Sequence, residues 1–373
     1  MTRMNTRIRI DDDGRLEVVD PGFDSLDLLR AIEPDFRVRR AKLNGLSSPR
    51  FLRARETGCG LAADRLARES EGALWDAHTA AVNRFREDVA CGARHEGEAS
   101  LLELKIELAR RALTGCHLCA HRCGVDRTRG ELGVCRLGTG VAVAEHFVHI
   151  AEESPVNPSL VLNLAGCGLR CRFCQQAALL DPGAIDGEQL GPALWPRLRA
   201  GRARSLSFVG GNPDESLYAI LRFLAGAPPA WKLPVVWNCH AYATAETVAL
   251  LDGVADVFLP DFKYGSEACG RRLSAVPNYP ETAKAAVAGM LAQGVPVIVR
   301  VLVLPGHFEC CHGPALDFLA TLGGGSLLVS VRGQYSPDWK ISERDGALSR
   351  RVTPDESAAV RERASSLGLT LVD

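Results

Sequence analysis

The stretch that decides the fold runs from Leu160 to Cys174: an apolar run, Leu160-Val-Leu-Asn-Leu164, then Ala-Gly, then Cys167-Gly-Leu-Arg-Cys171-Arg-Phe-Cys174. A short branched apolar run bounded by glycine predicts a buried strand. The cysteines follow at once, in the loop that leaves it. A [4Fe–4S] cluster is ordinarily held by four thiolates. Three cysteines this close supply three and leave one iron open, much as catalytic zinc sites keep an open position. S-adenosylmethionine (SAM) can fill that position through its amino and carboxylate groups, and Phe173 is placed to pack on adenine.

Downstream, apolar runs at 206–209, 235–237, 257–259, 297–304, 327–331 and 369–372 alternate with helical stretches at 188–198, 214–224, 245–251, 280–293, 315–322 and 354–367. Strand–helix alternation predicts an α/β fold with a parallel sheet, open or closed into a barrel. Chemistry in such folds sits at the carboxyl ends of the strands. Upstream, 26–32, 51–68, 73–89 and 98–113 carry helical spacing, so 1–115 reads as a helical N-terminal extension. The expected boundaries are 1–115, a four-cysteine metal-binding segment at 116–158, and 159–373. Arg37, Arg39, Arg40, Lys42, Arg50, Arg53 and Arg55 make a basic stretch that reads as a solvated face.

The three-cysteine run resembles the radical SAM superfamily signature, C-x3-C-x-aromatic-C. From about Cys116 to Tyr335 the chain is similar to the pyruvate formate-lyase activating enzyme-like group. The resemblance implies a (β/α)6 partial barrel, a [4Fe–4S] cluster at Cys167, Cys171 and Cys174, and reductive cleavage of SAM to methionine and a 5′-deoxyadenosyl radical that takes hydrogen from a substrate carbon. It also assigns the strand-end residues. Gly210-Gly211-Asn212-Pro213 stands where the family's Gly-Gly-Glu-type turn meets the SAM amino group. Asn238 stands where activating enzymes carry a cation-binding aspartate. Asp261-Phe-Lys263 matches an Asp-x-Lys motif, with Lys263 toward the SAM carboxylate and Asp261 toward the ribose. Arg300 lies inside an apolar strand run and needs an anionic partner, because an unpaired buried charge is very costly; the SAM carboxylate, a substrate anion or a structural carboxylate would serve. His307 and Gln334-Tyr335 also match the family pattern.

Thirteen cysteines are many for one chain, and clustered cysteines in a reducing cytosol are better read as metal ligands than as disulfides. Cys116-His-Leu-Cys119-Ala-His-Arg-Cys123, followed by Cys135, suffices for a closed zinc site or a second iron–sulfur cluster, and spacing does not choose between them. His146, His149, Glu152 and Glu153 form a polar cluster that reads as a solvated loop or a substrate entrance.

A net charge of −1 gives no field that points to nucleic acid or an anionic membrane. The first twenty residues lack the apolar segment of a signal peptide, and no apolar run approaches a bilayer span. A cytoplasmic protein is expected. The favoured reaction is epimerisation of a small-molecule, sugar-containing substrate in antibiotic biosynthesis, with a thiol returning hydrogen to the opposite face. Cys239, Cys310 and Cys311, all near strand ends, are the candidate donors. A flavodoxin or ferredoxin is the expected electron donor. The alternatives are a glycyl-radical activase acting on a partner protein and a non-enzymatic metal-binding interaction protein.

Overall fold

The computed structural model describes residues 49–87, 94–323 and 327–372, and the backbone of a short hairpin, β1 (Ile8–Ile10) and β2 (Leu16–Val18). The stretch 26–32, the basic residues Arg37 to Lys42, and Cys91 lie outside the described residues. The N-terminal part runs α1 (Arg50–Glu56), β3 (Gly58–Ala62), α2 (Glu71–Glu87), β4 (Glu98–Ser100) and α3 (Leu101–Ala112). The run 51–68, expected as one helix, breaks after Glu56 because β3 pairs antiparallel with β4. Helix α3 begins in a capping box: the Ser100 hydroxyl accepts from the Glu103 N–H at 3.1 Å, and the Glu103 carboxylate accepts from the Ser100 N–H at 2.7 Å. Arg50, Arg53 and Arg55 are not a solvated face. Arg50 pairs with Asp252 at 2.8 Å, Arg53 lies over the Phe85 ring, and Arg55 donates to the Ala227 carbonyl at 2.8 Å.

The rest is one mixed sheet: β5 (Ala142–His149), β6 (Ser159–Leu164), β7 (Glu188–Gln189), β8 (Ser205–Gly210), β9 (Val235–Cys239), β10 (Val257–Pro260), β11 (Val297–Leu302), β12 (Leu327–Arg332) and β13 (Leu371–Val372). Strands β6, β8, β9, β10, β11, β12 and β13 are parallel and lie side by side in chain order; β5 and β7 close the other edge antiparallel. Sequential parallel strands with right-handed crossovers put the connecting helices on one face. These are α4 (Leu217–Ala225), α5 (Ala245–Leu250), α6 (Glu267–Ser274), α7 (Tyr279–Leu291), α8 (Gly313–Leu322) and α9 (Pro354–Ser366). The helix expected at 188–198 does not form. Gly191, Pro192 and Pro196 leave a 3₁₀ turn at Pro192–Arg197, since proline removes a backbone donor and clashes with the preceding turn. Trp195 stacks flat on Phe223 of α4 at 4.2 Å there. No helix among the described residues is long and apolar enough to cross a membrane.

Alternation along each strand sorts the sheet into two faces. Val235, Trp237, Phe258, Val297, Val299 and Val329 join the large core shared with the helices. Val236, Leu259, Ile298 and Leu328 point the other way and pack on Val156 in a small separate cluster. One pleat further toward the carboxyl ends, that second face carries Asn238, Asp261, Arg300 and Ser330, with Asp261 bridged to Arg300 and Arg300 in register with Ser330. The apolar cluster is therefore a floor, and a polar layer lies directly above it.

Candidate functional site

The cysteine loop leaves β6 through Gly166, which adopts φ of +86°, a conformation that glycine takes without strain. Helix α6 braces the loop. The N–H groups of Arg170 and Arg172 donate to the carbonyls of Ser274 and Leu273 at 3.0 and 2.8 Å. The Ser274 hydroxyl donates to the Cys171 sulfur at 2.9 Å and accepts from the Tyr264 hydroxyl at 2.6 Å. Gly168 donates its N–H to Glu215 at 3.0 Å and accepts from the His121 ring at 2.9 Å. Burial first, then Glu215 and Cys171, pushes the Cys167 thiol well above the ordinary cysteine value.

Cys167, Cys171 and Cys174 open on a cavity of about 180 Å³. Its other walls are Gly210, Gly211 and Asn212 after β8, Asn238, Cys239 and His240 at the end of β9, Asp261 and Lys263 after β10, and Arg300 on β11. Every candidate SAM-side residue except Phe173 thus lines one cavity with the three cysteines. A side chain at Gly210, at φ of +102°, would meet the Leu164 backbone at 2.7 Å, so only glycine lets these two strand ends approach.

Two buried polar atoms of residues that line this cavity lack a hydrogen-bond partner among the described residues: Asn238 Nδ2, and Asp261 Oδ1, which stands 3.9 Å from the Arg300 guanidinium. Unsatisfied buried polar atoms are rare and call for an explanation. The other Asp261 oxygen accepts from Lys263 at 2.6 Å. Burial alone would lower the Lys263 pKa, but Asp261 and then Cys171 outweigh it and hold the ammonium charged.

Two assignments change. Arg300 does not await a ligand anion. It donates to Glu153 at 2.9 and 2.7 Å and to Glu152 at 3.0 Å, and stands 3.9 Å from Asp261. Glu152 and Glu153 are correspondingly buried rather than part of a solvated loop. Glu153 also accepts from Ser330 at 2.9 Å and from Arg332 at 3.0 Å. The Asn212 side chain is likewise committed: its oxygen accepts from the His240 N–H at 3.0 Å, and its amide donates to Glu215. The SAM amino group would meet the backbone here, not this amide.

Phe173 packs edge-on against Tyr335, with ring centroids 5.6 Å apart, and does not line the cavity. Tyr335 donates to the Leu348 carbonyl at 2.6 Å, and the Gln334 carbonyl accepts from Gln175 at 3.1 Å. His307 is held between the Pro305 carbonyl at 2.7 Å and Arg272 at 3.1 Å. Cys310 and Cys311 are also outside the cavity, so of the three candidate hydrogen donors it brings in Cys239. Burial and then Asp214 push that thiol's pKa well up.

Glu215 and His240 were not singled out in the sequence. Fully buried beyond the Gly-Gly turn, Glu215 accepts from the His240 ring at 3.2 Å as well as from Gly168. The other ring nitrogen of His240 accepts from the Tyr242 N–H at 3.1 Å, so the proton sits on the Glu215 side. Burial works to raise the Glu215 pKa, and the His240 ring and the Asn212 amide bring it below the usual value. The signal available in sequence was two acids directly after Asn-Pro, which helical spacing disguised as a helix start.

The upstream cysteines lie beside this site. Cys119 bridges to Ala243 just past β9; burial and then Glu215 push the Cys119 thiol up, and burial raises Cys135 to about 11 against the opposing effect of Arg127. The buried Arg127 donates to the carbonyls of Glu215 and Gly138 and lies 3.7 Å from the Cys116 sulfur. Among the described residues it has no carboxylate partner. An anionic metal–thiolate centre would balance that buried charge. Among the described residues, no three sulfurs of either cysteine motif lie within 4.8 Å of one another. Thiolates on a single zinc ion at about 2.3 Å sit about 3.8 Å apart; a cluster, with each thiolate on its own iron, spreads them further.

The chain is 34% identical over 281 residues to uncharacterized protein MJ0674 of Methanocaldococcus jannaschii, a match spanning 73% of this chain and 81% of that protein. It belongs to the MJ0674 family. No family model matches the chain. Among solved structures, Streptococcus suis SuiB aligns at a TM-score of 0.40 and 14% identity over 57% of this chain. SuiB bound to S-adenosylmethionine aligns at 0.39 and 15% over 55%, and SuiB bound to precursor peptide SuiA at 0.40 and 15% over 55%. The chain spans just under half the length of these SuiB structures, at 47%, 47% and 46%.

Proposed function

We propose that this member of the MJ0674 family is a radical SAM enzyme. In this reading Cys167, Cys171 and Cys174 hold a [4Fe–4S] cluster and SAM occupies the cavity before them. One observation carries it: the three cysteines of the loop line one cavity with Asn238, Asp261 and Lys263 from the neighbouring strand ends. When bound, the cluster supplies the electron that cleaves SAM into methionine and a 5′-deoxyadenosyl radical able to take hydrogen from a substrate carbon.

The chain's own residues bind and orient. Asp261 accepts from a ribose hydroxyl, and Asn238 hydrogen-bonds a ligand polar group, both from the cavity wall. Lys263 gives one N–H to Asp261 and has two more for the carboxylate of the methionine half. Gly210 and Gly211 let the backbone reach the amino group. Arg300, locked between Glu152 and Glu153, positions Asp261 from below and binds no ligand itself. Phe173 stiffens the cysteine loop from behind.

The substrate we favour is a small sugar-containing molecule, epimerised with Cys239 returning the hydrogen. The upstream four cysteines hold a second cluster that passes electrons from a flavodoxin or ferredoxin. The contacts of Gly168 with both His121 and Glu215 support that route, because they join the two motifs directly. The test is anaerobic reconstitution with iron and sulfide, then reductant and SAM, with 5′-deoxyadenosine quantified beside a Cys171→Ala variant. Product from wild type alone supports the reading; product from neither, with iron fully loaded, overturns it. Solvent deuterium entering a candidate sugar then supports epimerisation, whereas a persistent glycyl radical formed only with a partner protein would replace it with the activase.

A further inference from the structure

Three cysteines take no part in either motif and yet meet. Cys269 lies on α6, and Cys310 and Cys311 lie on a π-turn, Phe308–His312, that follows β11. The sulfurs of Cys269 and Cys310 are 3.8 Å apart, those of Cys310 and Cys311 are 3.7 Å apart, and all three fall within 4.8 Å of one another. The turn is wound so that both Cys311 and His312 donate their N–H to the His307 carbonyl, at 3.0 and 3.2 Å. A side chain at Gly265 would meet the Cys311 carbonyl at 2.5 Å, so the residues leading into α6 press directly on the turn. Cys269 and Cys311 are buried and Cys310 is exposed.

The spacing has a chemical meaning. Thiolates on one tetrahedral ion at about 2.3 Å lie about 3.8 Å apart, which matches both measured edges. A disulfide joins two sulfurs at about 2.05 Å; here two pairs sit at nearly twice that length, and the third lies within 4.8 Å. A [4Fe–4S] cluster, with each thiolate on its own iron, spreads its thiolates further. The ring of His307 is taken by Pro305 and Arg272, and no fourth ligand side chain joins the group among the described residues.

We propose that Cys269, Cys310 and Cys311 form a three-thiolate site for a single zinc ion, with its fourth position open to solvent at Cys310. On binding, three S–H bonds become three Zn–S bonds and three protons leave, with no change of oxidation state. The ion ties α6 to the turn after β11. Because α6 ends in Leu273 and Ser274, which hold Arg172, Arg170 and Cys171, zinc would brace the cysteine loop from outside the cavity. The site does not depend on the reaction proposed above.

The test uses the full chain, kept anaerobic with its iron–sulfur centres reconstituted, and titrated with zinc against a chromophoric chelator. Cobalt serves as a second probe, read by thiolate-to-cobalt charge-transfer absorption. Wild type should bind one more ion per chain than Cys310→Ser, whose exposed position makes it a mild change, and Cys269→Ser should lose the same ion. Cys171→Ala and Cys119→Ala should keep it. Equal ion counts in wild type and Cys310→Ser would overturn the proposal. So would two missing free thiols in the metal-free protein, the mark of a disulfide.

Discussion

On the sheet face turned away from the helices, Val236, Leu259, Ile298 and Leu328 pack on Val156, while Asn238, Asp261, Arg300 and Ser330 stand one pleat further along the same strands. The backbone is continuous, the strands are the same and the facing is the same. What separates floor from site is two residues of chain and the supply of partners. The floor needs only apolar neighbours. The polar layer exists because Glu153, entering from the β5–β6 loop, meets Arg300, Ser330 and Arg332 together. Two residues of that layer, Asn238 and Asp261, also line the cavity. Their comparison suggests that stability is concentrated below and ligand affinity above.

The sharpest attempt to break this division is Glu153→Ala. Removing the shared carboxylate takes it from Arg332 and leaves Arg300 with Glu152 and Asp261, both guanidinium groups being half-buried. Urea denaturation should show a loss of about 3 kcal/mol, the low end for a broken buried pair. A loss under about 1 kcal/mol would mean that the network is not buried as described. Next, Leu259→Ala should cost about 2–5 kcal/mol through the cavity left in the floor, with SAM affinity nearly unchanged in the folded fraction. A third approach uses acid. Burial works to raise the Glu153 pKa, and Arg300 and then Arg332 bring it down to about 2. A carboxylate depressed on folding contributes fully above its unfolded value, and that contribution is lost as pH falls through the folded one. Stability should therefore decline from about pH 4.5 toward 2, and Glu153→Gln should flatten that acid limb. The smallest effect belongs to Asn238→Ala. Losing one hydrogen bond of about 1 kcal/mol should weaken SAM binding roughly fivefold, with denaturation midpoints unmoved; a large stability loss instead would show that Asn238 belongs to the framework.

Much of this was legible in the sequence. The apolar runs at 160–164, 206–209, 235–237, 257–259, 297–304 and 327–331 all became strands, and the residues just past the runs ending at 237 and 259 are Asn238, Asp261 and Lys263. What stayed hidden depended on distance along the chain. Arg300 announced that it needed an anion but not which one, because Glu152 and Glu153 lie about 150 residues upstream in a stretch that reads as loop. Glu215 gains its role only when Gly168, Asn212 and His240 converge on it. Helix α6, with Gly270, Arg271 and Arg272 in its middle, shows little apolar periodicity, yet it carries both Ser274 and Cys269. Strand β5 was also missed, because at the sheet edge its outer face is solvated and Phe147 is exposed.

The most direct test of the central claim is equilibrium SAM binding to anaerobic protein, with and without the reconstituted cluster, for wild type and Asp261→Asn. The account predicts tight binding only with the cluster present, and at least about tenfold weaker binding in Asp261→Asn, where a carboxylate acceptor is lost. Binding that is unchanged when the cluster is omitted, or when Asp261 is replaced, would show that SAM does not occupy the cavity between the cysteine loop and the polar layer.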